Sequence, residues 1–379
     1  MLPIDYDAFS LKRKGGLKRE QERAILVGVR LSDVSVEEVE ESIEELNFLA
    51  HTAGAIVVDR IIQFRKTLNP ACYIGEGKVK QLNEIASALN VNLLIFDDDL
   101  RPRQVRNLEA HTGIRVIDRT ELILDIFALR ARTRESKIQV ELAQLEYTLP
   151  RLKRMWTHFS KIEGGIGMRG PGETQLEEDK RLIKTRISNL KSALKKIEAS
   201  RDIRRKNREN LFNVSLIGYT NAGKSTILNN LTGADVLCEN KLFATLDTII
   251  RRLYLKEGLT ILLSDTVGFI KKLPSHLVAS FKSTLEELKM SDLLLHVIDT
   301  GHSNFESHIL SVQGTLKQIG VETKPVLYVF NKIDTLDSRG IIENLKARFQ
   351  DSVFISALHR EGLNELKDKI LDCYSRRIN

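Results

Sequence analysis

Cysteine is scarce in this chain: three residues, at positions 72, 238 and 373, odd in number and far apart. A disulfide framework needs pairs and a zinc site needs closely spaced ligands, so both are excluded and a reducing compartment is expected. Long apolar runs are absent too, none approaching the roughly 20 residues of a membrane helix. Charges begin at once (Asp5, Asp7, Lys12, Arg13, Lys14), where a signal peptide would carry an apolar segment. These absences predict a cytoplasmic protein with no membrane partner. What is present is ordinary globular usage, 42% apolar and 29% charged, so a disordered or fibrous chain is excluded. At about 100–200 residues per domain, 379 residues predict two or three domains, and no internal repeat divides them.

The net charge of +7 is unevenly placed. Between positions 151 and 210 there are 17 basic and 8 acidic side chains, a local excess of nine that leaves the other 319 residues slightly acidic. Such an excess suits a polyanion, most simply nucleic-acid phosphate, or else a solvated helix pair.

A flexible basic tail is expected over 1–23. Strand-like runs at Ala24–Leu31, Ala55–Phe64, Asn92–Phe96 and Ile114–Asp118 then alternate with helical stretches. The first stretch, capped by Ser35 or Asp33, runs to about Ala50; the others cover Val79–Leu89 and Arg103–His111. That alternation predicts a small α/β domain with a largely parallel sheet over 24–120. Gly75-Glu-Gly-Lys78 reads as a turn entering its second helix. The period then changes. Ile138, Leu142, Leu145, Leu149, Leu152, Met155 and Phe159 form one heptad stripe, and Ile183, Ile187, Leu190, Leu194 and Ile197 form another. An antiparallel helical hairpin over 121–210 follows, with Pro150 kinking or ending a turn and Gln139–Phe159 otherwise helical. Its loop, Lys161–Glu173, holds five glycines. A parallel coiled-coil dimer is harder to build across such a loop, so a monomer is expected. From 211 to 379, strand-like runs at Phe212–Ile217, Leu259–Ser264, Leu293–Ile298, Pro325–Phe330 and Val353–Ile355 alternate with helices, predicting a second doubly wound domain.

That domain carries the chemistry. Gly218-Tyr-Thr-Asn-Ala-Gly-Lys-Ser225 follows a strand and opens a helix, the setting in which backbone N–H groups cradle a β-phosphate. Lys224 places a charge on the β- and γ-phosphates, and the Ser225 hydroxyl can ligate Mg²⁺. Asp265-Thr-Val-Gly268 lies at a strand end 41 residues after Lys224, where Asp265 can hold a metal-bound water and the Gly268 N–H can reach the γ-phosphate. Asn331-Lys-Ile-Asp334 follows another strand. Its Asp334 can accept from N1–H and the 2-amino group of guanine, donors that adenine lacks. Asn331 would brace the phosphate loop, the Lys332 stem would cover the ring, and Ser356-Ala357 would offer an N–H to guanine O6. GTP with Mg²⁺ is expected, not ATP.

With these motifs the chain resembles the HflX family of ribosome-associated GTPases. The likeness extends to Asn69-Pro-Ala-Cys-Tyr-Ile-Gly-Glu-Gly-Lys, Phe96-Asp-Asp-Asp-Leu-Arg-Pro-Arg-Gln, Gln139-Val-Glu-Leu-Ala-Gln-Leu-Glu-Tyr, Gly164-Gly-Ile-Gly-Met-Arg-Gly-Pro-Gly-Glu-Thr-Gln-Leu-Glu and Phe243-Ala-Thr-Leu-Asp, over roughly 24–375. The resemblance implies a GTP hydrolase that binds the large ribosomal subunit and splits or recycles ribosomes under stress. The alternative is a GTP-dependent assembly or RNA-binding module without splitting activity. The expected nucleotide contacts are Gly218, Tyr219, Thr220, Asn221, Ala222, Gly223, Lys224, Ser225, Thr226, Phe243, Thr245, Asp265, Gly268, Asn331, Lys332, Asp334, Ser356, Ala357 and Leu358. Ser225, Thr245 and Asp265 are the expected metal set, and Lys224, Thr245 and Gly268 the expected catalytic set. Ribosomal RNA would meet the hairpin and its loop, where Arg151, Lys153, Arg154, Lys161 and Arg169 lie. Two departures stand out: Thr248 occupies the place of a proline, and only one helix, Leu363–Tyr374, follows the last nucleotide motif. Phe269 stands where many small GTPases place a water-orienting Gln, so unaided hydrolysis should be slow.

Overall fold

The computed structural model describes residues 22–152, 171–206, 211–234, 241–256, 258–272, 287–336 and 339–378. These fall into two compact units. One comprises residues up to Leu129 together with those from Lys137 to Leu194; the other comprises Arg130–Ser136 and the residues from Lys195 onward.

In the first unit, strand β1 (Arg23–Arg30) buries six consecutive residues, Ala24 to Val29. A strand apolar on both faces belongs inside a parallel sheet covered by helices. The sheet order is β2-β1-β3-β4, with β2 at Ile56–Phe64, β3 at Leu93–Phe96 and β4 at Arg115–Asp118, every pairing parallel. Helix α1 (Val36–Ala53) is capped by the Ser35 side chain, which accepts from the Glu38 N–H. Helix α2 (Glu76–Ala88) starts three residues before the expected Val79, because Gly75 is its N-cap and Glu76-Gly-Lys78 its first turn. Helix α3 (Pro102–Thr112) precedes β4, and α4 (Arg119–Arg130) follows it, burying Leu122, Ile123, Leu124, Ile126 and Phe127.

The heptad stripes fall on α5 (Arg134–Thr148) and α6 (Pro171–Lys206). Leu142, Leu145 and Leu152 share one apolar cluster with Ile183, Ile187 and Leu190, flanked by Glu141–Arg186 and Glu146–Lys191 ion pairs. Two expectations need correction. The helix expected over Gln139–Phe159 stops at Thr148, since Pro150 lacks an N–H and the chain tightens into a 3₁₀ turn at Leu149–Arg151. The loop expected to reach Glu173 ends sooner, because Pro171 takes the first position of α6, where its missing N–H costs nothing. Met155, Phe159 and the glycine-rich stretch up to Gly170 lie outside the described residues.

Arg151, counted by sequence among the charges facing RNA, points inward. Its Nη2 donates to Leu100 O (2.9 Å) and to Asp118 Oδ2 (3.3 Å), and its guanidinium stacks 3.6 Å from the Tyr147 ring centre. Tyr147 donates to the other oxygen of fully buried Asp118 (2.8 Å). A buried carboxylate draws the nearest cation toward itself.

The second unit is built on a sheet of order β10-β9-β8-β5-β7-β6. Its strands are β5 (Asn213–Gly218), β6 (Ile249–Lys256), β7 (Leu259–Asp265), β8 (Leu293–Asp299), β9 (Val326–Asn331) and β10 (Ser352–Phe354). Sequence reading misses β6, the antiparallel edge strand, because exposed Arg251 and Arg252 interrupt its apolar alternation. The helices are α7 (Lys224–Thr232), α8 (Phe305–Gln318), α9 (Arg339–Arg348) and α10 (Leu363–Ile378). Central β5 is flanked by β7 and β8, so the loop after it opens at the switch of strand order, where doubly wound sheets bind ligands.

Candidate functional site

Buried β5 delivers the chain into a tight loop before α7. Gly218 has φ 147° and Gly223 φ 95°. A Cβ on Gly218 would come within 2.2 Å of the Val297 carbonyl oxygen, and one on Gly223 within 2.2 Å of Asn331 Nδ2, so only glycine fits either place. Asn221 takes the left-handed conformation between them, at φ 62°. Buried Lys224 folds back to donate to the carbonyls of Gly218 (3.1 Å) and Tyr219 (2.8 Å). An open cleft of about 460 Å³ lies over the loop, lined by Thr220, Asn221, Gly223, Lys224, Ser225, Thr226, Phe243, Thr245 and Gly268.

Three oxygen-bearing side chains meet beside Lys224. Ser225 Oγ lies 2.9 Å from Thr245 Oγ1 and donates to Asp265 Oδ2 (2.6 Å), which also accepts from Thr245 (3.2 Å). Asp265 is fully buried and its Oδ1 has no hydrogen-bond partner among the described residues. Burial raises the Asp265 pKa, with Lys224 pulling against it. An orphaned buried carboxylate oxygen beside two hydroxyls is a donor set suited to a hard cation such as Mg²⁺.

Burial also pushes the Lys224 ammonium from 10.5 down to about 8, the Asp265 carboxylate opposing it. Phosphate binds the charged form, so GTP affinity should be level below pH 8 and fall by up to tenfold per unit above it. Titration calorimetry from about pH 7 to 9.5 measures this; an affinity unchanged over the range would mean that Lys224 stays charged or carries no phosphate.

Gly268 lies against the phosphate loop, where a Cβ would be 2.8 Å from Thr220 Cγ2 and 3.1 Å from Lys224 Nζ. Phe269 is fixed by its backbone, its N–H donating to Gly218 O (3.1 Å) and its carbonyl accepting from Thr220 N–H (2.8 Å). Its ring, 2% exposed, packs among Ile217, Leu288, Leu294 and Val312, so the side chain points into the core rather than over the cleft.

At the far end of β9, Asn331 donates to Ala222 O (2.8 Å) and accepts from Ala357 N–H (2.9 Å), tying three loops together. Asp334 accepts from the hydroxyl of buried Ser356. One expectation changes here. The Ala357 N–H is spent on Asn331 and is not offered to a base. The Leu358 side chain, 76% exposed, points to solvent. Lys332 has its ammonium drawn 2.6 Å from Asp299 Oδ2, which aims the side chain from its own left-handed backbone. Tyr219 accepts from Lys224 through its carbonyl, while its side chain turns elsewhere. Its ring stacks on His308 at 3.7 Å and its hydroxyl accepts from Lys271 N–H (2.7 Å). Lys241, Ala244 and Thr266 also line the cleft, and Asn230 steadies Ala357 O (2.6 Å). No spacing rule marks any of these four in the sequence.

A glycine-cradled phosphate loop, a hydroxyl–carboxylate oxygen cluster and an Asn–Asp base motif at three strand ends define a P-loop GTPase. Family models agree: residues 213–332 match one described as 50S ribosome-binding GTPase, 40–128 the GTP-binding GTPase N-terminal region, and 130–208 its middle region. The chain is 44% identical to the GTPase HflX of Flavobacterium psychrophilum over 372 residues, covering 93% of this chain and 90% of that one. It is 48% identical to that of Alkalihalophilus pseudofirmus (93% and 83%) and 43% identical to that of Escherichia coli (94% and 84%). A crystal structure of SsGBP in complex with GDP is 29% identical, with a TM-score of 0.51 and coverage of 94% of this chain and 99% of that one. The chain therefore belongs to the HflX family of ribosome-associated GTPases, and it hydrolyses GTP.

Proposed function

We propose that this chain binds the large ribosomal subunit in its GTP state and splits ribosomes, with hydrolysis releasing it. The reading is carried by the charge excess of nine in 151–210, a segment none of whose described residues lines the GTP cleft. A GTPase whose basicity is concentrated outside its nucleotide motifs has that segment to offer another polyanion. The description of the matching model as ribosome-binding supports rRNA as that polyanion. The four-part division at 23, 120 and 210 assigns the small α/β domain and the hairpin with its glycine-rich loop to the ribosome, and the last part to GTP. A cytoplasmic monomer fits this role.

In the GTPase part, Lys224 and the loop N–H groups hold the β- and γ-phosphates, and the Gly268 N–H turns to the γ-phosphate. Ser225, Thr245 and Asp265 would hold Mg²⁺, which when bound neutralises charge on the phosphate oxygens. Asp334 reads the guanine edge. With the Ala357 N–H engaged, the Leu358 backbone N–H is left to meet O6.

Sedimentation of whole ribosomes with the protein and a nonhydrolysable GTP analogue tests the reading. Free subunits are expected; intact ribosomes carrying bound protein would favour the assembly role instead. Replacing Gly164–Gly172 by a short neutral linker should abolish most splitting while leaving GTP affinity nearly unchanged. Loss of GTP binding with splitting retained would reverse the two roles.

A further inference from the structure

We infer that Asp247 is a positioning residue that couples closure of the Thr245 segment over the phosphate site to the turn from which α5 starts. Asp247 Oδ2 accepts from the backbone N–H groups of Arg132 (3.1 Å) and Thr133 (3.2 Å), and Oδ1 accepts from Thr133 Oγ1 (2.6 Å). All these residues belong to the unit that holds the GTP site, although 114 positions separate Thr133 from Asp247. The Thr133 hydroxyl also accepts from Ser136 N–H (3.1 Å), and Ser136 Oγ donates back to Thr133 O (3.0 Å). Thr133 thus caps α5 from the residue before Arg134, and the carboxylate of Asp247 sits at the helix N-terminus, where the backbone dipole favours an anion.

Asp247 follows Thr245 by two residues, with buried Leu246 between them. Thr245 faces Ser225 and Asp265 while Asp247 faces the turn. Two residues of chain span at most about 7 Å, so while Asp247 keeps its three donors Thr245 stays within that distance of it and cannot swing far from the phosphate site. Closure and clasp therefore rise and fall together. By linkage, whatever holds the Arg132–Thr133 turn strengthens binding of the nucleotide that needs Thr245, to the same degree as that nucleotide orders the turn. The turn is continuous with α5, the first helix of the pair whose second helix, α6, lies in the segment of charge excess. The inference rests on the GTP-switch reading of the site and is independent of ribosome splitting.

Amide hydrogen exchange on the intact protein reads the clasp directly. The Arg132 and Thr133 amides should exchange several-fold more slowly with a nonhydrolysable GTP analogue than with GDP. Equal exchange in the two states would overturn the inference. Thr133→Val keeps the side chain's shape and removes its hydroxyl, so it should lower analogue affinity by roughly three- to tenfold and leave GDP affinity unchanged. Thr133→Ser, which restores the hydroxyl, should match the parent. A structural role for the cap alone would weaken both nucleotides equally. That result, an unchanged analogue affinity in Thr133→Val, or a Thr133→Ser variant that fails to recover would each contradict the coupling. Failure of the parent to bind either nucleotide would instead remove the GTP site itself, a distinguishable result.

Discussion

Asp334→Asn is expected to weaken GTP binding by roughly 10²- to 10⁴-fold, the loss of two hydrogen bonds to a charged acceptor, and to turn preference toward xanthosine triphosphate. The structure shows why the change acts on the base and not on the fold. Asp334 lies in the exposed 3₁₀ turn Ile333–Thr335, and its Oδ1 is held by the hydroxyl of buried Ser356. An asparagine can keep that bond with its carbonyl oxygen, which leaves its NH₂ group facing the base edge. Guanine presents N1–H and a 2-amino group there, donor against donor. Xanthine presents a 2-oxo group that accepts. Competition binding with the two triphosphates measures the shift, and an unaltered preference for guanine would remove Asp334 from the base pocket.

Gly223→Ala should abolish nucleotide binding by a different route. The added Cβ would stand 2.2 Å from Asn331 Nδ2, at a residue with φ 95° where an L side chain is strained. Asn331 must then yield, and with it go the bonds to Ala222 O and from Ala357 N–H that join phosphate loop to base loop. The two ends of the nucleotide lose their common brace. Affinity for both GTP and GDP should fall by roughly 10²-fold or more, from one strained residue and two lost hydrogen bonds. Binding measured on a variant whose thermal unfolding remains cooperative checks this. An affinity close to the parent's would mean that the loop can shift without its Asn331 brace.

Much of the site was legible because its residues are consecutive. The phosphate loop needs glycines at set places between a strand and a helix, and both neighbours are strongly patterned, so Gly218–Ser225 announces itself. Asp265 and Asn331 follow because each ends an apolar strand. The α/β alternation of the first unit was legible for the same reason, down to the Ser35 cap. What escaped depends on contacts between residues far apart in the chain. Arg151 leans to Asp118, a carboxylate on β4 that outweighs the position suggested by sequence. Asp247 reads as one letter of a switch motif, and its partners at 132–133 are invisible without the fold. The break between α4 and α5 at Ala131–Thr133 also escaped, since the apolar pattern runs on and only the Thr133 cap marks the new helix. Thr248, found where proline was expected, buries its hydroxyl without a hydrogen-bond partner among the described residues, and nothing in the structure explains the exchange.

We propose that this GTPase holds an incomplete hydrolytic site that the ribosome completes. Phe269 offers no group to a water, its ring sealed in the core and its backbone tied to Gly218 and Thr220. The comparison that tests this most directly is single-turnover GTP hydrolysis by the intact chain with and without purified large ribosomal subunits. A slow unaided rate that rises by at least an order of magnitude on adding subunits is expected, as when a group supplied in trans completes a GTPase site. Equal rates in the two conditions would contradict it.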